Sequence, residues 1–249
     1  MKYSFWLKLL AFFIISSIVI ITIAILLHAF DIKQYQKAPI YVNTVSSPKC
    51  FTVIIDAGHG GEDGGASSSA GLVEKDVNLE IATILRDMLE ANGVKVVMTR
   101  EDDRLLYDRN VNYQGRKKKL DLAARLAIAD ATPDAVFISI HMNSFSDPKY
   151  SGLQVWYSQN NADSYSLAEL IRANNQEMLQ SDNNRKCKSA TSAINLLHNA
   201  KCPAVLVECG FLSNTNEAAL FETHDYRQKV AFMLFCSVTE FLNNSEETP

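Results

Sequence analysis

The sequence predicts an α/β domain with a mostly parallel central sheet, preceded by one hydrophobic N-terminal segment. Two patterns predict the domain. Short apolar, β-branched runs alternate along the chain with longer segments in which apolar residues recur at the helical period. An uneven composition predicts the segment, because the first 30 of the 249 residues contain 23 apolar residues and two lysines but no acid. The remaining 219 residues are about 43% apolar, an ordinary share for a soluble globular domain.

The charge of the chain is divided in the same way. Beyond residue 30, 22 lysines and arginines stand against 28 aspartates and glutamates, so the body of the protein has a net charge of −6. An acidic body argues against a protein that binds nucleic acid through bulk charge. The composition also excludes a disordered chain, a multi-span membrane protein and a collagen-like fibre.

Residues 1–30 predict a signal anchor that crosses the membrane once. Residues 9–27 contain no charge, and a helix needs roughly 20 apolar residues to cross the hydrocarbon core. Lys2 and Lys8 precede this run and are expected to keep the N-terminus in the cytoplasm, which places the domain on the outer face of the membrane. A cleaved signal peptide, and so a secreted form, is the alternative. Its apolar region is usually shorter, roughly 7–15 residues, and residues 28–31 offer no typical cleavage site.

A polar linker is predicted over residues 31–50, which contain two prolines. The run 52–56 that follows is short, apolar and β-branched, as expected for a buried strand. A helix is predicted over 74–92, where apolar residues recur every three or four positions, and Gly93 is expected to end it. We expect the α/β domain to extend over residues 51–242.

The rest of the domain repeats this alternation of short apolar runs and helical periods. The inward face of a helix over 119–131 is predicted to consist of Leu120, Ala123, Ala124, Leu126 and Ala127. Residues 193–197 are interpreted as a strand, and 204–207, which follow Pro203, as another. The other predictions are strands over 94–99, 135–140 and 152–158, helices over 164–180, 217–221 and 226–242, and a polar tail over 243–249.

Five cysteines lie beyond the hydrophobic segment, and none belongs to a CxxC pair. A zinc site made of thiolates therefore has no support. A disulfide between Cys187 and Cys202 is one alternative, and free thiols are the other. Cys209 and Cys236 stand in apolar surroundings and are expected to behave as small buried hydrophobic residues.

Three of the predicted strands end in ionisable residues. The strand 52–56 leads into His59. His141 directly follows the strand 135–140, and Glu208 directly follows the strand 204–207. In open α/β sheets, ligands bind beyond the carboxyl ends of the strands. If these strands are parallel neighbours, two imidazoles and a carboxylate converge at one edge. Each residue alone has a structural alternative, a hydrogen-bonded buried side chain, but three together favour a functional site, because burying ionisable groups is costly.

A glycine-rich loop joins the first strand to the first helix. Six of the ten glycines lie between residues 58 and 71, but the lysine and hydroxyl residue of a phosphate-binding P-loop are absent. The loop begins at His59 and ends at Glu74, in the first turn of the helix. Together with His141 these residues offer two nitrogens and one carboxylate oxygen, a recurring set for catalytic zinc. For Glu74 alone, a favourable interaction with the helix dipole is the alternative, and the ligand types do not exclude another divalent metal.

The sequence resembles the zinc-dependent N-acetylmuramoyl-L-alanine amidases. The motifs that carry the resemblance occur in order over about 160 residues. They are IDAGHGG at 55–61, GGA at 64–66, EKD at 74–76, TR at 99–100, SIHMN at 139–143 and ECGFLSN at 208–214.

The resemblance implies a single-domain α/β fold around a twisted, six-stranded mixed sheet. It also implies a zinc ion bound by His59, Glu74 and His141, with Glu208 as the catalytic carboxylate. The implied reaction is hydrolysis of the amide between N-acetylmuramic acid and L-alanine in peptidoglycan. We further hypothesise that Asp56 orients His59.

Within the family, the sequence is most similar to the germination-specific spore-cortex amidases, which also have a short N-terminal hydrophobic segment and no wall-binding repeats. This similarity implies removal of stem peptides for muramic-δ-lactam formation in the cortex. The similarity includes a basic stretch over residues 116–119. For this stretch we favour a solvated loop over a role in binding. Ten residues separate His141 from Gly152, so the autoinhibitory insertion of cell-division amidases is missing. Many relatives have an arginine where this chain has His198. This histidine could face the substrate, but we expect a role at the surface or behind the site.

Three other functions remain open at this point. The protein could be a vegetative cell-wall amidase, a zinc peptidase acting on the stem peptide, or a non-catalytic peptidoglycan-binding module with the same fold. The expected partners are peptidoglycan and the membrane, through the N-terminal helix, and no nucleic acid. The sequence leaves open whether an accessory protein takes part.

Overall fold

The computed structural model describes residues 22, 51–108, 110 and 112–246. The predicted linker and nearly all of the predicted signal anchor lie outside these residues, as does the end of the polar tail. Within the described part of the chain, no helix is both long enough and apolar enough to cross a membrane. The predicted anchor is therefore not tested.

Strands and helices alternate along the domain, as predicted. The strands are β1 (Thr52–Ala57), β2 (Lys95–Met98), β3 (Ala135–Asn143), β4 (Gln154–Tyr157), β5 (Lys188–Ser189) and β6 (Ala204–Phe211). The helices are α1 (Glu74–Ala91), α2 (Lys117–Ala131), α3 (Asp163–Met178), α4 (Asn195–Asn199), α5 (Thr215–Phe221) and α6 (His224–Glu246).

One prediction of an element is wrong, and one boundary differs, because α6 continues to Glu246 and so includes residues 243–246 of the predicted polar tail. Residues 193–197 do not form a strand, because the short helix α4 occupies most of this segment. The strand of this region is β5, which begins seven residues before α4. In α4, Leu196 and Leu197 are buried against one face of the sheet. A short apolar run looks the same whether it is a buried strand or a buried helical turn, so periodicity alone could not separate the two.

The six strands form one mixed sheet in the order β2-β1-β3-β6-β4-β5, which confirms the expected architecture. The first four strands in this order are mutually parallel. β4 runs antiparallel to β6, and β5 is parallel to β4. Because β1, β3 and β6 are adjacent and parallel, their carboxyl ends meet at the same edge of the sheet.

The sheet separates two apolar layers, since successive side chains of a strand point to opposite faces. One layer contains Val53 and Ile55 of β1 and is covered by α1, α3 and α6. The other contains Ile54 of β1 and Phe137 of β3 and is covered by α2 and α4. Burial on both faces explains why the central strands are continuous apolar runs.

The inward face of α2 differs from the prediction. Ala123 and Ala127 are exposed, whereas Asp121, Arg125 and Ala129 are buried. Apolar periodicity could not find this face, because two of its three buried members are charged. Their role is in the site described below.

The four cysteines in the described part of the chain are free thiols. The disulfide alternative for Cys187 and Cys202 is therefore wrong. Cys209 is buried in the core, as predicted, whereas Cys236 is only partly buried.

Candidate metal centre

The loop that carries His59 is held by two buried arginines. Arg125 donates from Nη1 to the carbonyl of Ala57 at 2.8 Å and from Nη2 to that of His59 at 2.7 Å. Arg100 donates to the carbonyls of Ala57 at 2.8 Å and Gly58 at 3.0 Å. His59 has a positive φ of 62°, a conformation uncommon for a residue with a side chain. The guanidinium groups therefore stabilise an unfavourable backbone that presents this imidazole.

Asp56 compensates the charge of this arrangement. Its carboxylate, which is completely buried, accepts hydrogen bonds from Arg125 at 2.6 Å, Thr99 at 2.8 Å and Ser139 at 2.5 Å. Burial alone would raise the pKa of this carboxyl group, but Arg125 and Ser139 hold the pKa below its usual value. The hypothesis that Asp56 orients His59 holds only indirectly, because the link runs through Arg125 to the His59 backbone.

Glu74 lies between the two histidines. Its Oε1 is 3.1 Å from Nε2 of His59 and 3.0 Å from Nδ1 of His141, and it also accepts a hydrogen bond from the backbone of Met142 at 3.0 Å. Oε2 accepts from the backbone of Ala66 at 2.7 Å. Burial opposes ionisation of Glu74, but the two histidines hold its pKa far below the usual value. The carboxylate is therefore ionised, as a metal ligand must be.

The three predicted ligands fit a small divalent cation. One donor atom from each of His59, Glu74 and His141 lies within 4.8 Å of the other two. Contacts of 3.0 to 3.1 Å are close to the roughly 3.3 Å expected between two ligands of a tetrahedral zinc ion. The imidazole rings are 4.9 Å apart and nearly perpendicular. The second ring nitrogen of His59 lies 3.0 Å from a carboxylate oxygen of Asp63, an ion-pair distance without the geometry of a hydrogen bond.

Two glycines of the loop leave room for these side chains. A Cβ atom on Gly58 would lie 2.3 Å from the His141 ring. A Cβ atom on Gly65, which has a φ of +69°, would lie 2.4 Å from Oε2 of Glu74. These two glycines of the cluster, Gly58 and Gly65, therefore allow close packing of the ligand side chains.

Glu208 is placed beside the ligands by the register of the sheet. It pairs with His141 of β3 on one side and with Gln154 of β4 on the other. Its Oε2 is buried, and in the described part of the chain no group donates a hydrogen bond to it. Burial raises the pKa of Glu208 to about 7, although His141 opposes the rise. A carboxyl group with these properties can accept and release a proton near neutral pH.

The structure thus brings together all four predicted site residues, and it adds others that the sequence analysis missed. The missed residues are Arg125, Asp121 and Asp63, together with Arg100, which was noted only as part of a motif. A usable signal existed for two of them. Asp121 and Arg125 are four residues apart and form a buried ion pair at 2.8 Å, and this spacing places charges on one face of a helix.

Two other predicted features lie outside the centre. His198 is exposed on α4, in agreement with a surface role. The basic stretch 116–119 leads into α2, where Lys117 contacts Glu62 at 2.5 Å and the other three residues are exposed. The exposure agrees with a solvated stretch, but the predicted loop is wrong, because residues 117–119 form the first turn of α2.

Comparison with known proteins gives the same family that the sequence motifs resemble. The family model described as N-acetylmuramoyl-L-alanine amidase matches residues 53–239. The germination-specific N-acetylmuramoyl-L-alanine amidase of Bacillus subtilis is 35% identical over 197 residues, which cover 79% of this chain and 82% of that protein.

Two solved structures are also similar. The CwlD amidase from Clostridioides difficile, in complex with the GerS lipoprotein, is 37% identical with a TM-score of 0.74, covering 78% of this chain and 98% of that one. The amidase AmiC2 of Nostoc punctiforme is 30% identical with a TM-score of 0.65, covering 79% and 99%. Since the family match spans the described domain and its four site residues converge, the chain belongs to the N-acetylmuramoyl-L-alanine amidase family of peptidoglycan hydrolases.

Proposed function

We propose that the protein hydrolyses the amide between N-acetylmuramic acid and L-alanine with a zinc ion held by His59, Glu74 and His141. One observation carries the proposal. Three ligand atoms of the type and spacing that zinc prefers lie beside a buried carboxylate, Glu208, with an unpartnered oxygen. The chemistry that zinc supplies in such a site is polarisation of the scissile carbonyl and activation of a water molecule.

Glu208 moves the proton in this reaction. Its free Oε2 accepts the proton of the attacking water and delivers it to the nitrogen of L-alanine as the amide bond breaks. A pKa of about 7 suits both halves of this transfer. Glu74 is unsuited to it, because its pKa is held low and its oxygens are taken by the two histidines and by backbone groups.

Mass spectrometry of digested peptidoglycan tests the reaction. The full-length protein is expected to release stem peptides that begin at L-alanine, to stop doing so after chelation of its metal, and to recover with added Zn²⁺. Shortened stem peptides would instead identify a peptidase. No product at all from metal-loaded protein would identify a non-catalytic module.

We propose that the reaction serves the spore cortex, where removal of stem peptides precedes formation of muramic-δ-lactam. The similarity to a germination-specific relative supports this role. Spores that lack the protein are expected to lack muramic-δ-lactam in the cortex. Normal lactam together with a defect in the vegetative wall would favour the vegetative amidase instead.

We also propose that the protein is exported and anchored to the outer face of the membrane by residues 1–30. The uncharged run 9–27 supports this location. In membrane fractions, the full-length chain is expected to be degraded by protease added to the outer face, and a chain without residues 1–30 is expected to stay in the soluble fraction.

The accessory partner that we propose to test is a lipoprotein, because the similar CwlD amidase was solved with one. Affinity purification of the full-length protein from sporulating cells is expected to recover a lipoprotein. Recovery of the protein alone, at full amidase activity, would contradict this proposal.

A further inference from the structure

A polar cleft lies near the carboxyl end of β6, and none of the four site residues lines it. The cleft has a volume of about 480 Å³, and amide side chains of Gln180, Asn183, Asn214 and Asn216 contribute to its lining. Gly152 also lines it and lies two residues before Gln154, which pairs with Glu208. The cleft and the candidate metal centre therefore lie at the same edge of the sheet.

The pairing of β3 with β6 contains an irregularity just before Phe211. His141 pairs with Glu208 and Asn143 with Phe211, so three residues of β6 span the distance that two residues span in β3. Without this bulge, Phe211 would point to the opposite face of the sheet from Glu208. With the extra residue, the two side chains lie on the same face.

Arg185 lies over the ring of Phe211 in this cleft. Its guanidinium carbon is 4.9 Å from the ring centre, and its Nε donates to the carbonyl of Ser151 at 2.9 Å. These two contacts fix the plane of the guanidinium group and leave its two terminal nitrogens for a ligand.

The charge of Arg185 is not neutralised by a direct ion pair within the described residues. Two carboxylates also line the cleft, but Asp182 is exposed, and Glu217 already accepts hydrogen bonds from the backbone of Gly152 at 2.9 Å and of Phe211 at 2.8 Å. Arg185 is thus a fixed, half-buried guanidinium group among amides and two carboxylates that form no direct ion pair with it, and such a group can bind a further carboxylate.

We propose that Arg185 binds a carboxylate of the stem peptide and so determines a preference for acidic stem peptides. This assignment rests on the proposed function. In a stem peptide, D-glutamate follows L-alanine and is linked through its γ-carboxyl group, which leaves the α-carboxylate free. Along the backbone, Phe211 lies two strand steps beyond Glu208, a distance of about 7 Å. In the substrate, the α-carboxylate of the residue after L-alanine lies at a similar distance from the scissile bond.

Two synthetic muramyl peptides test the assignment. They differ only in the residue after L-alanine, which is D-glutamate with a free α-carboxylate or D-isoglutamine with a neutral carboxamide. For the full-length zinc-loaded protein, we expect kcat/KM to be about tenfold higher for the carboxylate, with the difference in KM, as for one charge-assisted contact in a half-exposed site. Arg185→Gln is expected to lower only the carboxylate value, to the level of the carboxamide.

The matched control is Lys201→Gln, which removes one positive charge at the opposite end of β6 and is expected to keep the preference. If Arg185→Gln lowered both substrates by the same factor, or lowered neither, the assignment would be wrong.

Calorimetry separates this assignment from the proposed reaction. Binding of the two uncleaved peptides is measured with the full-length Glu208→Gln variant, with and without Arg185→Gln. If the unmodified protein released no stem peptide while Glu208→Gln preferred the carboxylate through Arg185, the proposed function would fail and the assignment would stand. Equal affinities for the two peptides would overturn the assignment even if the amide were hydrolysed.

Discussion

Glu208 differs from the three candidate ligands in what its carboxylate contacts. Glu74 is ionised and held by two histidines and two backbone donors, whereas one oxygen of Glu208 is buried without a hydrogen-bond partner. Two carboxyl groups at one edge of a sheet thus have opposite pKa shifts. Such a separation is how an active site assigns different roles to groups of the same type.

The first prediction concerns this division of roles. Glu208→Gln keeps the volume of the side chain but cannot accept a proton, so we expect turnover to fall by roughly 10²-fold to 10⁴-fold. Zinc content, measured by atomic emission, is expected to stay at the unmodified level. The control is Glu222→Gln, on the exposed surface after α5, and it should leave the rate unchanged. Amidase activity near the unmodified level in Glu208→Gln would refute the role of Glu208.

The second prediction concerns the space around His141. Gly58→Ala adds a Cβ atom 2.3 Å from the imidazole ring, so the ring must move and the ligand geometry is lost. We expect zinc affinity to fall by about 10-fold to 100-fold, as for other changes that misplace a ligand. Competition with a chromophoric chelator measures it.

Gly64→Ala is the matched control for this variant. Gly64 belongs to the same loop, but a Cβ atom there meets only Cγ1 of Val73, at 3.3 Å. Equal loss of zinc affinity in the two variants would mean that the loop, and not the imidazole, responds to the added methyl group.

At the scale of elements, α2 supports the loop between β1 and α1. Arg125 reaches from the buried face of α2 to Asp56 at the end of β1 and to the carbonyls of Ala57 and His59. Asp121, one turn earlier, holds the same guanidinium group at 2.8 Å. The helix therefore docks through a charged network in addition to its apolar contacts with the sheet.

The third prediction tests this network. Arg125→Met leaves the Asp56 carboxylate buried without its cation, so we expect the free energy of unfolding to fall by about 3–5 kcal/mol. The control is Arg86→Met, since Arg86 pairs with Asp87 and Glu101 at a more exposed position of α1. For that pair we expect a loss of about 0–1 kcal/mol. Denaturant titration of both variants measures the difference, and similar losses would contradict the buried role.

The sequence determines most elements of the fold but not the smallest ones. Long apolar periods located α1 and α6, and apolar runs located the central strands, because burial of those segments requires that pattern. β5 has only two residues, and its pairing depends on β4 being in place. The inward face of α2 likewise depends on distant segments. Asp121 and Arg125 are buried only in the presence of Asp56 and the loop carbonyls, so local periodicity does not predict this face.

At the scale of the whole molecule, the stability of the domain is expected to depend on pH through Asp56. The pKa of this group is lowered in the folded protein, so the unfolded chain binds its proton more tightly. The resulting stabilisation is complete above the unfolded pKa of about 4 and is lost as the pH falls through the lower, folded pKa.

The fourth prediction follows from this linkage. Unfolding free energies measured from pH 6 down to pH 2 are expected to fall less steeply in Asp56→Asn than in the unmodified protein, because the variant has no such group to protonate. Identical slopes would show that Asp56 keeps an ordinary pKa in the folded state. Ser139→Ala, which removes one of the hydrogen bonds to Asp56, is expected to have an intermediate slope.

The charge of the body has a second consequence for the whole molecule. A net charge of −6 does not attract an anionic cell wall over long distances. Recognition of the wall is therefore expected to be local, at the edge of the sheet where the metal centre and the polar cleft lie. Arg185 supplies a positive charge inside that cleft.

The sequence by itself determined the fold class, the family and the four central residues, His59, Glu74, His141 and Glu208. The four residues follow because parallel strands bring their carboxyl ends to one edge and because ligand chemistry restricts residue types. The family follows from the resemblance of the motifs between residues 55 and 214. Only the tertiary structure decided how these residues are held and tuned. Guanidinium contacts to a loop, a bulge that redirects one ring, and the burial of a carboxylate all arise between segments far apart in the chain, and local pattern carries no record of them.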